Sequence, residues 1–382
     1  MKLLIPAILL TATIARSAPA KADQFESIKQ EIRQSIARGN KWLSTKQNDD
    51  GSWDDGQLPA ITGLVLHALV RDPNLDKSKP LPAKLEKGYT WLLAQQKDDG
   101  GIYNRGLSVY NTAASITSLM AAGREDFEPA VVKARKHLID NQWDLGQTKE
   151  TDNANDGGIG YGSDNTHTDL SNTYLALEAL AASEQVVQDG KYGDQPQLDW
   201  QAAITFISRC QNLEETNDQE FASNDEKNKG GFIYSPFASK AGEEQSADGR
   251  TALRSYGSMS YAGLLSMVYA KVSPTDPRVV AVKEWLANNF TLAENPGMGA
   301  QGLYYYYQLM AKGLTAANVT ELQLADGKKI DWRNQLADKI LATQRENGSW
   351  INENGRWMES NPVLVTSYTV LALEQILASF PN

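Results

Sequence analysis

The sequence predicts an all-α fold, an (α/α)6 toroid with six inner helices inside a ring of six outer helices. Three observations predict it. A unit of helix, glycine turn and second helix recurs, as in WLSTKQNDDGSWDDGQLPAITGLVLHAL from Trp42 and WLLAQQKDDGGIYNRGLSVYNTAASITSL from Trp91. Repeats of this length mark stacked units, each too small to bury its own apolar face. The unit occurs six times, a number that closes a ring without the polar end caps of an open solenoid. The two helices of a unit also differ: EPAVVKARKHLIDN is amphipathic, whereas NTAASITSLMAA and LSNTYLALEALAA are almost uncharged, as buried helices must be.

The chain opens with a leader. Lys2, an apolar run from Leu3 to Ile14 and the stretch SAPAKA read as a secretory signal peptide, with a small-x-small cleavage site ending at Ala20 or Ala22. The run is too short to anchor a mature protein in a bilayer, and no later segment is long and apolar enough to do so. Residues 1–22 are thus assigned to the leader and 23–382 to a single toroid domain that is secreted or periplasmic and acts as a monomer. Cys210 is the sole cysteine, so an internal disulfide is excluded. Removing the leader takes three basic residues and no acid, leaving 34 basic against 47 acidic residues, a net charge of −13. That balance argues against nucleic acid and anionic membrane surfaces as partners.

The outer helices share one register: Trp42-LSTK-Gln47, Trp91-LLAQ-Gln96, His137-LIDN-Gln142, Phe206-ISRC-Gln211, Trp285-LANN-Phe290 and Lys339-ILAT-Gln344. Glycine turns follow five of them, beginning at Gly51, Gly100, Gly157, Gly230 and Gly348, where the chain leaves the helix with positive φ. Their aromatics, Trp53, Tyr103, Tyr161, Tyr234 and Trp350, are expected to plug equivalent junctions at one end of the ring. The turn of the fifth repeat, ENPGMGAQG, departs from the pattern. Each inner helix then carries a small residue, Thr62, Thr112, Thr173, Ser258, Gly302 or Thr366, with a leucine seven positions on. The longer segments after Gln142 and Gln211, and between Ala311 and Asp331, are expected to decorate the ends of the ring.

The turns QNDDGSW and QRENGSW resemble the QW motif of squalene and hopene cyclases, and GGIY and GGFIY resemble turns of protein prenyltransferase β subunits. The resemblance covers roughly residues 24–380. It implies the toroid fold and an isoprenoid-like or other lipophilic ligand in the lumen. It does not carry over the families' chemistry. Class II cyclases protonate an alkene from a D-x-D-D motif, which is absent here; Asp49-Asp50, Asp54-Asp55 and Asp98-Asp99 are pairs in turns, where solvated carboxylates are the ordinary finding. Those cyclases are also two-domain enzymes much longer than this chain. Prenyltransferase β subunits bind zinc through Asp, Cys and His, but Cys210 stands at a packing position, and His67, His137 and His167 fall in different repeats. No metal or cofactor is therefore expected. The thioester domains of complement-like proteins share the toroid, but Cys210-Gln-Asn-Leu-Glu is not their thioester sequence.

What remains is the lumen. Counting from the small residue of each inner helix, positions −4, −1 and +3 share one face. In repeats two to five that face is polar: Ser108, Asn111 and Ser115; Asp169 and Asn172; Arg254 and Tyr261; Gln301 and Tyr305. With His167 and Tyr256 nearby, the densest group lies where inner helices three to five begin. The candidate catalytic residues are His167, Asp169, Arg254, Tyr256 and Tyr261, and the candidate ligand-binding residues are Asn111, Asn172, Gln301, Tyr304 and Tyr305. Asp169 and Arg254 occupy equivalent positions in adjacent repeats, so an ion pair between them is expected. The cluster fits a site and equally a network that ties the helix starts. Of the four tyrosines from Tyr304 to Tyr307, at most two can face the lumen. Three functions remain open: an isoprenoid or other lipid binder or small cyclase-like enzyme; a carbohydrate-active enzyme, lyase or glycosidase, in which Arg254 neutralises a uronate and a tyrosine serves as acid or base; and a non-catalytic scaffold.

Overall fold

A computed structural model describes residues 25–162, 167–245 and 249–381. The predicted leader lies outside them. The inner helices are α2 (Pro59–Arg71), α4 (Ser108–Ala121), α6 (Leu170–Ala182), α9 (Gly257–Tyr269), α11 (Leu303–Ala316) and α13 (Pro362–Ser379). Each packs on the next, and α13 packs back on α2, so the ring is closed. The outer helices are α1 (Glu26–Ser44), α3 (Ala83–Leu93), α5 (Glu128–Asp140), α8 (Trp200–Arg209), α10 (Pro277–Asn288) and α12 (Trp332–Ala342). A short helix, α7 (Glu184–Gln188), and two small hairpins, β1–β2 (Glu243–Gln245, Thr251–Leu253) and β3–β4 (Leu322–Gln323, Lys329–Ile330), decorate the loops. The (α/α)6 toroid expected from the repeats is the fold. Helix α13 is long and apolar enough by composition to cross a membrane, but 72% of its apolar window is buried in the ring.

The repeated glutamine explains the ring. Its side-chain amide donates both to the glycine carbonyl of its own turn and to a carbonyl near the start of the next outer helix. Gln47 reaches Gly51 and Lys84, Gln96 reaches Gly100 and Ala130, Gln142 reaches Gly157 and Asp199, and Gln211 reaches Gly230 and Arg278, all at 2.8–3.1 Å. Gln344 reaches Gly348 and Ser35, so the same bond joins the last repeat to the first. One side chain thus ties its own turn to the neighbouring outer helix and sets the spacing between units. The fifth repeat has Phe290 instead; there the Tyr306 and Tyr307 hydroxyls donate to the carbonyls of Thr291 and Leu292, tying inner helix to turn.

The junction plugs differ from expectation in three repeats. Trp53, Ile102, Ile159, Phe232 and Trp350 hold the equivalent position, each fully buried, and each backbone N–H donates to a hydroxyl of the following inner helix: Thr62, Thr112, Thr173, Ser260 and Thr366. Tyr103 comes one residue after its plug, where in an extended turn the side chain points to the other side. Tyr161 and Tyr234 come two residues after theirs, past the junction and at the cavity. The same bond corrects the fourth register. Ser260, not Ser258, matches the threonines, which moves the helix start two residues.

Candidate functional site

The inner helices begin around one cavity of about 470 Å³. Its wall is mostly carbon, with Leu58, Ile61, Leu107, Met259 and Leu364 among ring faces. Its floor is a belt of phenols. Tyr110 and Tyr368 share a hydrogen bond of 3.2 Å, the Tyr305 ring lies 5.7 Å from that of Tyr368, and the Tyr305 hydroxyl lies 3.4 Å from Ser171 Oγ. Burial raises the pKa of all three phenols, so they stand neutral and hydrogen-bonded where they line the cavity.

One wall carries an acid. Asp169, fully buried, caps α6: its carboxylate accepts from the Asn172 N–H and the Asn172 side-chain amide, both at 2.8 Å. Burial raises its pKa, against these hydrogen bonds and the lesser opposing influences of His167 and the Tyr234 hydroxyl. Tyr234 lines the cavity and is pushed upward by burial and then by the Asp169 charge. The His167 ring sits 6.2 Å from that of Tyr234 and 6.5 Å from that of Tyr161, and Lys240 Nζ lies 4.1 Å from the Tyr234 ring centre. The arrangement presents a carboxyl whose pKa burial raises, linked through a phenol to an apolar space.

Asp169 predicts a pH dependence. Its folded pKa lies above the unfolded value of 3.8, so between the two the native state holds a proton that the unfolded chain has released. Stability from this group is greatest below about pH 4 and falls as pH rises through the folded pKa. Asp169→Asn should remove that fall. Melting temperatures of both proteins from acid to neutral pH should converge at low pH and separate as it rises; a constant difference would contradict the assignment.

The opposite wall is built by a turn. Glu359, 1% exposed, accepts from the N–H groups of Tyr304 (3.3 Å) and Tyr305 (2.8 Å) and from the Asn352 side chain (2.6 Å), so it caps α11 from the sixth repeat. Burial raises its pKa. Next to it Trp357 and Met358 both adopt left-handed φ, of 53° and 64°, and stand about two-fifths exposed at the cavity rim. Side chains avoid this region, and a consecutive pair persists only where surrounding bonds impose it.

Of the residues singled out from sequence, His167, Asn172, Tyr256 and Tyr305 line the cavity, and Asp169 stands behind Tyr234. Arg254 does not. It is exposed after β2, and the carboxylate of Asp169 is held by Asn172 and Tyr234, so the expected Asp169–Arg254 pair gives way to these partners. The corrected register accounts for this: Tyr256, not Arg254, is the equivalent of Asp169. Tyr261 is 1% exposed and packs on Tyr306, away from the lumen. Tyr304 packs on Tyr307, and Gln301 lies in the turn before α11, outside the lining. Asn111 ties helix starts: its Oδ1 accepts from Ala60 N–H at 2.9 Å, and its amide donates to the Leu107 carbonyl. Tyr110, Tyr161, Ser171, Tyr234 and Tyr368 were missed. Tyr161 and Tyr234 were assigned as plugs, and the others sit at positions −2 and +2, a face rotated from the one chosen.

Below the tyrosine belt the lumen is polar. Lys312 pairs with Glu178 at 2.7 Å, and Tyr174 and Tyr269 donate to the same carboxylate. His67 stands beside them and is held well below its usual pKa by burial, then by Arg71 and Lys312. Among the described residues no group of three or more metal-ligating side chains converges. Cys210 is buried, and burial raises its thiol pKa.

No family model and no curated protein matches the chain. Solved structures do. A ligand-free variant of the type II terpene cyclase MstE from Scytonema, with Phe in place of one Tyr, overlays with a TM-score of 0.51 at 13% identity, covering 93% of this chain and 99% of that one. A variant of MstE in complex with geranylgeranyl dihydroxybenzoate gives 0.52 at 13% identity, with the same coverage. Candida albicans protein geranylgeranyltransferase-I, complexed with GGPP, gives 0.51 at 16% identity over 88% of this chain and 90% of that one. The first overlays span nearly the whole of both chains, so length does not count against a cyclase-like architecture. This chain has the α/α-toroid fold of the terpene cyclases and protein prenyltransferases.

Proposed function

We propose that the protein binds an isoprenoid-like lipophilic ligand in the upper lumen, outside the cytoplasm. The observation that carries this reading is the cavity itself: about 470 Å³, walled by aliphatic side chains and floored by three neutral phenols. Apolar surface buried there contributes about 25 cal/mol per Å², and ring faces attract any positive charge that develops on an alkene. Proteins of the same fold have been captured with geranylgeranyl dihydroxybenzoate and with GGPP, which accords with this reading. The polar end of the ligand would lie at the mouth, among His167, Tyr234 and Lys240. Transformation of the ligand would need a proton source, and the Asp169–Tyr234 pair and Glu359 are the buried acids at hand in place of a D-x-D-D acid. The leader, read from sequence, supports export. The uronate-directed reading rested on Arg254, which is not among the residues that line the cavity.

Filling the cavity tests the proposal. Ser171→Trp places an indole in the lumen beside Tyr305. Native mass spectrometry with geranylgeraniol should show a one-to-one complex for the parent and at least a tenfold loss for the variant, which corresponds to about 1.4 kcal/mol. Equal binding by both would place the ligand elsewhere.

A further inference from the structure

Away from the lumen, at the junction of the second and third repeats, three side chains stand in line. Ser108 Oγ lies 3.1 Å from His137 Nε2, and His137 Nδ1 lies 3.4 Å from Asp99 Oδ2. Asp99 is itself oriented, accepting from the Tyr103 hydroxyl at 2.9 Å and from the Gly101 N–H at 2.9 Å. The fold does not demand this line: the position of His137 is Trp42, Trp91, Phe206, Trp285 and Lys339 in the other repeats. Burial holds His137 below its usual pKa, against Asp99 and Asp140, so the imidazole is neutral near pH 7.

Ser108 is also placed as a nucleophile needs. It is the first residue of α4 and follows Leu107, whose φ of 47° and ψ of 39° are left-handed. The N–H of the next residue, Val109, points out of the helix start, where a developing oxyanion would be held. In this structure it donates to the Tyr161 carbonyl at 3.1 Å. The adjoining Gly162 covers the hydroxyl: a Cβ there would lie 2.0 Å from Ser108 Oγ. A carbonyl of the chain thus occupies the place of a substrate carbonyl, and Ser108 is 1% exposed. The Tyr161 side chain lines the lumen, so exchange of one carbonyl for the other would take place from that side.

We propose that Ser108, His137 and Asp99 form a self-blocked acyl-transfer site for carboxylic esters, distinct from the lumen ligand site. Ser108 Oγ bonds to the acyl carbon while its proton passes to His137 Nε2. The C–O bond to the alcohol breaks, and the leaving oxygen takes that proton. Water then attacks the acyl-serine through the same histidine, releasing the acid and restoring the hydroxyl. Asp99 is a positioning residue, holding the imidazole through Nδ1.

A fluorophosphonate probe with peptide mapping tests the site on the folded, full-length chain, and this outcome does not depend on the lumen ligand. Ser108 should be phosphonylated, with fluoride released, and Ser108→Ala should lose the label while keeping the parent's melting temperature. Labelling should fall about 100-fold or more in His137→Gln. Asp99→Asn should lower the maximal labelling rate with unchanged probe affinity. Gly162→Ala, whose methyl group falls on Ser108 Oγ, should drive the blocking segment off and speed the reaction. No adduct on Ser108 in either the parent or Gly162→Ala, or an equal rate in His137→Gln, would overturn the proposal.

Discussion

Trp350→Ala is expected to destabilise the protein by about 3–5 kcal/mol, the range for removing a large aromatic from a packed core. The indole is fully buried between the last outer helix and the last inner one, and its ring N–H donates to the Ile340 carbonyl at 2.9 Å. Truncation leaves a cavity and removes this bond, although the Ile340 carbonyl keeps the N–H and hydroxyl of Thr343, so the cavity carries most of the cost. Tyr103→Ala supplies the control. Tyr103 was expected to be an equivalent plug, but it is half-buried and one residue out of register, so its loss should cost clearly less. Chemical denaturation of the two variants separates these positions; equal losses would restore the aromatic-plug assignment and contradict the hydroxyl register.

Gly157→Ala should be comparably severe. Gly157 has φ of 82°, where a side chain adds about 1–2 kcal/mol of strain. The added methyl would also lie 2.0 Å from the Ala202 carbonyl of α8. That atom is backbone, so the turn and the next outer helix must separate, at a further cost of about 1–3 kcal/mol. Gly348 is also close-set, with an added methyl 2.6 Å from the Arg38 carbonyl of α1, where the ring closes. Gly348→Ala should therefore loosen the closure, seen as faster amide exchange in α1 and α13 than in α4 and α6. Uniform exchange would show that closure does not rest on this contact.

The fold was legible because its signals repeat. The five glutamines, the five glycine turns and the uncharged inner helices each report the same geometry, and the bonds of Gln47 and Gln344 show why. The site was legible only in part. His167, Asn172, Tyr256 and Tyr305 were found because a polar group on a buried helix has few reasons to be there. Arg254 and Tyr261 were misplaced because Ser258 and Ser260 both offer a small hydroxyl, and the bond from Phe232 that chooses between them is tertiary. Trp357 and Glu359 were out of reach: they sit in an irregular turn brought to the lumen by ring closure, which no local period reports. Tyr161 and Tyr234 show the finer failure, a two-residue offset from Ile159 and Phe232 in the turn that exchanges plug for lumen.

The central claim is that the upper lumen holds a lipophilic chain. Photo-crosslinking with a diazirine-bearing C20 isoprenoid alcohol tests it most directly. Adducts should map to Tyr110, Tyr305, Tyr368 and neighbouring lining residues, and unlabelled geranylgeraniol should suppress them. Adducts confined to the outer helices, or unaffected by competitor, would contradict a ligand in the lumen.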